Sequence, residues 1–160
     1  MGASKHIQPD DKADQRRGID YIGVCASFVV HDGKGRILLQ KRGAEARDEQ
    51  GRWDVGGGAV EFDETPAETV RREIREEYCC EALDVEFLVA YDAHRQLDDG
   101  TKTHWVAMVH AVRIDPTKVT IGEPHKISEV GWFTSDDLPE PLHSQFWKSF
   151  ECAQARDLVR

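Results

Sequence analysis

The pattern of apolar and polar residues divides the chain into segments that predict strands and turns. Apolar and β-branched residues predict a strand over residues 21–30, and residues 32–35 form a turn signal directly after it. The apolar residues 37–39 predict the second strand of a β-hairpin, and residues 43–52 form a polar loop. Further extended segments are predicted over residues 59–62, 85–91, 104–114 and 130–133.

The segment after residue 64 has the signals of a helix. Thr65 can cap the helix, Pro66 suits its first position, and Glu68 completes a capping box. Apolar residues three or four positions apart then predict a helix that runs to about Tyr78 and buries one stripe. That stripe consists of Ala67, Val70, Ile74 and Tyr78.

The C-terminal part of the chain predicts more helical structure. A helical turn is expected over residues 135–138, where a proline follows. A longer helix is expected over residues 142–158, with Phe146, Trp147 and Phe150 directed toward the core.

The order of these elements predicts the architecture. Strands, a helix, more strands and a final helix indicate an α/β fold in which a mixed β-sheet lies between helices. Residues 1–18 are polar and lack periodicity, so we expect a flexible N-terminal tail there. Residues 19–160 have a normal size for a single domain.

Composition limits the classes of partner. A net charge of −9 argues against a nucleic-acid polymer, because a phosphate backbone needs clustered Lys and Arg. The four cysteines lack C-x-x-C spacing, which argues against a zinc site built from them and fits a reducing cytoplasm. No apolar run is long enough to span a membrane. The acidity itself has two interpretations, a highly soluble surface or carboxylates that converge on a cation.

Three glutamates on the predicted helix bear on that choice. Glu73, Glu76 and Glu77 stand at positions i, i+3 and i+4, so their carboxylates share one face of the helix. In one interpretation this face is solvated and neutralised by neighbouring arginines. In the other, the carboxylates bind a hard divalent cation, which prefers oxygen ligands. The helix alone favours the first interpretation.

A glycine run before the helix shifts the balance toward the second. Gly56, Gly57 and Gly58 allow the backbone to approach a ligand closely, although a simple turn also uses glycines. Glu61 and Glu64 connect this run to the acidic helix. A glycine-rich segment joined to an acidic helix is a rarer combination than either part.

Together these residues resemble the Nudix hydrolase family. The family's box contains Gly, five residues, Glu, seven residues, then Arg-Glu, an aliphatic, any residue, Glu-Glu, any residue, Gly and an aliphatic. Two departures are Gly56, where a proline is common, and Cys79, where the family has a glycine that ends the helix. A non-glycine residue there either adopts a left-handed conformation at a cost of about 1 kcal/mol or lets the helix continue. The matching residues are Gly58, Glu64 and Arg72-Glu73-Ile74-Arg75-Glu76-Glu77-Tyr78, followed by Cys79-Cys80.

The resemblance implies a fold, a metal and residue roles. The fold is an α/β/α sandwich, and the cofactor is Mg²⁺, with Mn²⁺ as a substitute. The implied metal ligands are Glu73, Glu76, Glu77 and the Gly57 carbonyl, and Glu76 or Glu77 would be the general base. The implied supporting residues are Arg72, which orients the glutamates, Glu64 and Gly58, together with Glu61 as an additional ligand. The reaction is attack of water on a pyrophosphate phosphorus.

The substrate depends on residues outside the box. The absence of proline between Cys80 and Asp115 argues against the ADP-ribose-cleaving subgroup. Segments 104–106 and 123–126 resemble enzymes that cleave a nucleoside triphosphate, including oxidised ones, to monophosphate and pyrophosphate. Nucleotide-sugars, ADP-ribose, dinucleotides and a module that senses a nucleotide without cleavage remain alternatives. The family also implies a homodimer.

Three residues are candidates for binding the nucleotide. Trp105 could stack on a base, although an aromatic residue in a strand is more often part of the core. Asp136 could accept a hydrogen bond from a base, although helix capping explains such a residue equally well. Arg42 is the third candidate.

Overall fold

A seven-stranded mixed sheet between two helices forms the fold in the computed structural model, which describes residues 15–160. The central strand order is β3-β2-β1-β6-β5, with β4 paired to β1 and β7 paired to β2. The strands are β1 (Gly23–His31), β2 (Ile37–Arg42), β3 (Trp53–Asp54), β4 (Gly56–Ala59), β5 (Asp84–Gln96), β6 (Lys102–Arg113) and β7 (Ile127–Phe133). The helices are α1 (Pro66–Tyr78) and α2 (Phe146–Ala155).

The sheet has two apolar faces, and each face packs against one of the two helices. In β2, Leu38 packs in the core beneath α1, whereas Ile37 and Leu39 pack in the core beneath α2. Successive side chains of a strand point to opposite faces of the sheet, so a continuous apolar run can bury both faces. The structure thus confirms the predicted α/β fold with a mixed sheet between helices.

Helix α1 begins and ends as its sequence predicts. The Thr65 hydroxyl accepts a hydrogen bond from the backbone N–H of Glu68, whose carboxylate accepts one from the Thr65 N–H at 2.8 Å. Cys79 follows the helix in the left-handed conformation, with φ of 53°, and its N–H donates to the Arg75 carbonyl. The helix therefore stops where glycine is expected, although the residue is a cysteine.

The buried faces of both helices differ from the prediction at single positions. Ala67 is exposed, and Thr69 is buried in the first part of α1 instead. Trp147 is half exposed and contacts Phe146 and Phe150 only at the outer surface of α2, so its expected place in the core is wrong. A small rotation of an amphipathic helix about its axis changes which of the neighbouring positions at the edge of its apolar face are buried.

The remaining secondary structure also departs from expectation in places. The predicted helical turn at residues 135–138 is a turn without helical structure, and α2 is shorter than the predicted helix 142–158. The glycine run forms strand β4 rather than a loop, because Gly56, Gly57 and Gly58 pair with β1. A sheet position occupied by glycine lets neighbouring side chains approach the backbone closely.

Most of the predicted tail, residues 1–14, lies outside the described residues. Its last part contacts the sheet: the Gly18 carbonyl accepts a hydrogen bond from the His104 N–H at 2.7 Å. Gly18 and Gly23 both lie against the indole of Trp105, so closely that a Cβ at either position would overlap it. Residues 15–18 thus cover one side of Trp105.

The left-handed conformation of Cys79 makes its replacement by glycine stabilising. We expect Cys79→Gly to raise the free energy of unfolding by about 1 kcal/mol, because glycine has no Cβ to strain at positive φ. Urea denaturation measures the change. Cys79→Ala is the matched control, since it removes the thiol but keeps the Cβ. Equal stability of the glycine and alanine variants would contradict this account.

Candidate active site

A cleft of about 410 Å³ opens along one face of the sheet, beside β4 and beneath the loop of residues 43–52. Six residues named from the sequence line it: Gly56, Gly57, Gly58, Glu77, Arg42 and Trp105. Glu77 and the glycines lie at one end, where α1 meets β4. Trp105 lies on the wall formed by β5 and β6, away from the helix.

Glycine at the α1 end of the cleft leaves space for a carboxylate. A Cβ at Gly58 would overlap the carboxylate of Glu73, so no larger residue fits while Glu73 keeps its place. A Cβ at Gly56 would overlap the ring of Phe28 in the same way. The bare backbone of β4 and the acidic face of α1 therefore lie in direct contact.

Arg72 fixes the carboxylates of α1 and the segment before it. Its Nε and Nη2 atoms form a two-point contact with Glu64, at 2.7 and 3.0 Å. Its Nη1 lies 2.6 Å from Glu73 and 3.2 Å from Glu76. Hydrogen bonds from Arg72 and Thr69 lower the pKa of Glu64 to about 2, and the Glu64 carboxylate in turn raises the pKa of Arg72. Arg72 thus contacts the carboxylates of Glu64, Glu73 and Glu76 at the same time.

Glu77 is buried at the end of the cleft with one carboxylate oxygen that has no hydrogen-bond partner. Burial raises its pKa well above the usual value, and the charges of Glu73 and Glu123 raise it further. Burial likewise raises the pKa of Glu73, although Arg72 opposes the shift. Both raised pKa values indicate that carboxylates lie close together where little water solvates their negative charges.

Glu123 is a fourth carboxylate, which the sequence analysis did not select. One of its oxygens lies 2.9 Å from Lys126 Nζ, and the other is buried with no hydrogen-bond partner. The loop before β7 brings it there, since the N–H of Gly122 donates to the Glu77 carbonyl at 2.9 Å. A Cβ at Gly122 would overlap the Glu76 carbonyl, so this close approach also requires glycine.

This set of donors suits a hard divalent cation. It consists of carboxylate oxygens with backbone carbonyls beside them, and two of the buried carboxylate oxygens lack partners. Within the described residues, neither the trio Glu73, Glu76 and Glu77 nor the trio Glu73, Glu77 and Glu123 has donor atoms within 4.8 Å of one another. Glu77 alone of these four lines the cleft; Glu76 is half exposed on the Arg72 side, whereas the charge of Glu123 acts on both Glu73 and Glu77.

A network of charged side chains forms the floor of the cleft beyond the glutamates. Asp48 accepts hydrogen bonds from Arg42 at 2.7 Å and from Arg95 at 2.8 Å. Burial alone would raise the pKa of Asp48, but the neighbouring His143, with Nε2 3.8 Å from Oδ1, and the charges of Arg95 and Arg42 hold it far below its usual value. His143 also lies 3.2 Å from Asp54, whose pKa burial raises. Arg42 and Arg95 are therefore neutralised within the protein.

Arg47 differs from the other two arginines of the cleft. Its guanidinium lies over the ring of Trp105, 4.7 Å from the ring centroid, and its side chain is largely exposed. The nearest carboxylate recorded for it is that of Asp48, at 3.7 Å. Trp105 itself is buried between this guanidinium and the glycines that cover its other side. Trp105 thus serves both as core and as cleft wall.

Two candidates lie away from the cleft. Glu61 is exposed and bound to Arg17, with Nη2 and Oε2 2.9 Å apart. Asp136 is exposed in the turn after β7 and does not line the cleft, so its expected contact with a base is not supported by its position. Its neighbour Asp137 accepts a hydrogen bond from the Thr134 N–H at 2.6 Å, as turn capping requires.

The fold and the site together define an α/β/α protein with a carboxylate-lined cleft of nucleotide size. A family model described as the NUDIX domain matches residues 22–151. The chain belongs to the Nudix hydrolase family, as the glycine-flanked acidic helix suggested.

Several known proteins are similar to this chain. The CTP pyrophosphohydrolase of Escherichia coli (strain K12) is 40% identical over 122 residues, which cover 76% of this chain and 82% of that protein. The CMP-5'-(N-acetyl-N-hydroxy-3-aminopropyl)phosphonate hydrolase of Streptomyces rubellomurinus is 30% identical over 120 residues, which cover 75% of this chain and 55% of that protein. The crystal structure of a MutT NUDIX hydrolase from Burkholderia pseudomallei matches with a TM-score of 0.71 and 32% identity, covering 82% of this chain and 97% of that one.

The burial of Glu77 predicts a pH-dependent stability difference. In protein kept metal-free with a chelator, we expect Glu77→Gln to raise the free energy of unfolding by on the order of 1–3 kcal/mol at about pH 8. A raised folded-state pKa leaves stability intact below about pH 4, where Glu77 is protonated in both states. Stability then falls as the pH rises from the unfolded to the folded pKa. A glutamine at position 77 does not titrate, so the variant does not lose stability in this way as the pH rises.

Urea denaturation across this pH range measures the difference. The control is Glu76→Gln, which makes the same change on the same helix at a half-exposed position. It should change the stability by less than about 1 kcal/mol at every pH. A Glu77→Gln difference that is constant with pH would contradict the assignment of a buried, poorly solvated carboxylate.

Proposed function

We propose that this chain is a Mg²⁺-dependent pyrophosphohydrolase that converts a nucleoside triphosphate to a monophosphate and pyrophosphate. The observation that supports this most strongly is the buried carboxylate of Glu77, with one unpartnered oxygen, at the end of a cleft that the glycine backbone of β4 helps to line. A structural glutamate would be expected to have its oxygens satisfied. A nucleotide-sized cleft at the same place gives the carboxylates a substrate.

In this proposal the cation is held by Glu73, Glu77 and Glu123, with the carbonyl of Gly57 and the outer carboxylate of Glu76 as further ligands. When bound, Mg²⁺ neutralises charge on the phosphate oxygens and acts as a Lewis acid, and Mn²⁺ can substitute for it. Arg72 orients Glu73 and Glu76 without touching the reacting atoms.

We assign Glu77 as the group that accepts the proton of the attacking water. Of the glutamates of α1, Glu77 is the one that lines the cleft, where its carboxylate could accept a proton from water. Glu76 was an equal candidate on sequence alone, but it lies outside the lining of the cleft. The proton then leaves Glu77 for solvent through the open side of the cleft.

The nucleoside would lie toward Trp105, on the wall that β5 and β6 form. There the cleft is lined by Tyr91, by Trp105 with the Arg47 guanidinium over its ring, and by the polar side chains of Asp54 and His143. The similarity to a CTP pyrophosphohydrolase supports a triphosphate substrate and puts cytidine nucleotides first among those to test. A second relative that hydrolyses a CMP conjugate keeps cytidine-linked phosphonates and phosphates as the second class.

Location and assembly stay predictions. In the part of the chain that the structure describes, no helix combines the length and the apolar composition needed to cross a membrane. A cytoplasmic location, a homodimer and the absence of a nucleic-acid polymer among the partners are carried forward from the sequence.

A substrate panel tests the proposed function. With Mg²⁺ present, we expect CTP or another nucleoside triphosphate to yield a monophosphate and pyrophosphate faster than ADP-ribose, nucleotide-sugars or dinucleotides. Glu77→Gln should lower kcat by at least about a hundredfold while the circular dichroism spectrum is unchanged. Glu81→Gln, an exposed position just beyond the helix, should keep the activity. Nucleotide binding without turnover by the wild type would reject the enzyme and favour a sensing module.

The position of Arg47 predicts a role in substrate binding. Because Arg42 and Arg95 are paired with carboxylates, Arg47, which lies over Trp105, is the arginine of the cleft best placed to contact a bound nucleotide. We expect Arg47→Ala to raise KM about tenfold with little change in kcat, since its contact is made equally in the ground and transition states. Steady-state kinetics measures both values. Lys34→Ala removes an exposed cation from the β1–β2 turn as a control, and an equal rise in KM there would contradict a local role.

A further inference from the structure

Three metal-binding side chains lie together on the β5–β6 hairpin, on the opposite face of the sheet from the cleft. His94 and His104 are directly paired across the two strands, and Asp92 stands two residues before His94. Alternate residues of a strand point to opposite faces. Ala93 and Trp105 line the cleft, so Asp92, His94 and His104 point away from it.

The donor atoms of these three residues already lie close together. One atom from each lies within 4.8 Å of the others, and His104 Nε2 is 2.8 Å from Asp92 Oδ1. The two imidazole rings lie 4.1 Å apart between centroids. Among the residues that the structure describes, this is the one such trio of His, Cys, Asp or Glu donors.

The geometry is near that of a tetrahedral metal site. Ligand distances of about 2.0–2.1 Å place neighbouring donor atoms roughly 3.3 Å apart in a tetrahedron. The His104–Asp92 distance would open slightly, and His94 would close in by a rotation of its side chain. Asp92 and His94 are exposed, so these adjustments disturb no packing. The strand pairing beneath fixes the backbone of the hairpin.

The chemistry of the trio differs from that of the glutamates in the cleft. Two imidazoles and one carboxylate suit Zn²⁺ and similar transition-metal ions, whereas Mg²⁺ prefers oxygen ligands alone. Water would complete the coordination at this exposed surface.

We propose that Asp92, His94 and His104 bind one Zn²⁺ ion at a site separate from the active site. The ion would join β5 to β6 on the outer face of the hairpin, whose inner face carries Trp105 and Arg95 into the cleft. Zinc binding would therefore stabilise one wall of the cleft without contacting the substrate. This site does not depend on the proposed catalytic function.

Titration of the metal-free full chain with Zn²⁺, in the presence of excess Mg²⁺ to occupy the carboxylates, tests the proposal. We expect one Zn²⁺ per chain by isothermal titration calorimetry, together with a higher Tm. His94→Gln and His104→Gln should each weaken binding by at least about tenfold and abolish the rise in Tm. Both residues are at the surface, and circular dichroism checks that each variant folds.

Two controls separate this site from general attraction of metal to an acidic protein. Asp99→Asn removes one negative charge from the turn of the same hairpin and should leave zinc affinity unchanged, as should Glu77→Gln in the cleft. Asp92→Asn should weaken binding as the histidine variants do. Zinc binding that survives both histidine substitutions, is displaced by Mg²⁺ or is lost in Glu77→Gln would overturn the proposal, as would the absence of any binding.

Discussion

The repulsion among buried carboxylates at the junction of α1, β4 and the loop before β7 is the constraint on which the site depends. Glu73, Glu77 and Glu123 share this junction, and the pKa values of Glu73 and Glu77 are raised there. Arg72 offsets the charge on one side only, because its guanidinium is occupied by Glu64, Glu73 and Glu76. The inner side, around Glu77, has Lys126 as its cation, with Nζ 2.9 Å from Glu123, so one positive charge there faces the carboxylates of Glu73, Glu77 and Glu123. A divalent cation is the simplest partner for the remaining negative charge.

The fold maintains that junction through backbone contacts that side chains cannot replace. Glycine at position 58 lets Glu73 lie against β4, and glycine at position 122 lets the loop carrying Glu123 lie against the end of α1. The left-handed residue Cys79 ends the helix just where that loop arrives. The same few residues therefore let the backbone segments approach each other closely and bring the negative charges together. Changes at the glycines would affect the site before they affect the core.

Sequence patterns correctly predicted the features that depend on residues close together in the chain. The capping box at Thr65 and Glu68 and the hairpin of β1 and β2 follow from short-range rules, and both occur as expected. The acidic face of α1 was also visible, because helical spacing alone places Glu73 and Glu77 together. Trp147 was misplaced because an apolar residue in an amphipathic helix need not face inward.

Other parts of the site depend on contacts distant in sequence and could not be predicted from spacing. Glu123 is 46 positions beyond Glu77 by residue number and reaches it only through the hydrogen bonds of Gly122 and its loop. The network of Asp48 with Arg95 and His143 joins a loop, a strand and the segment before α2. No sequence motif indicates that residues so far apart in the chain form one network. Asp136 is the opposite case: an aspartate could bind a base, but the fold places this one outside the lining of the cleft.

The most direct measurement is the position of a bound cation. Crystals of the full chain soaked with Mn²⁺ give an anomalous signal that locates the ion independently of any catalytic assay. The account predicts a peak in contact with the carboxylates of Glu73, Glu77 and Glu123, at about 2.0–2.3 Å from their oxygens. A peak elsewhere, or ordered carboxylates at this junction with no ion at saturating Mn²⁺, would contradict it.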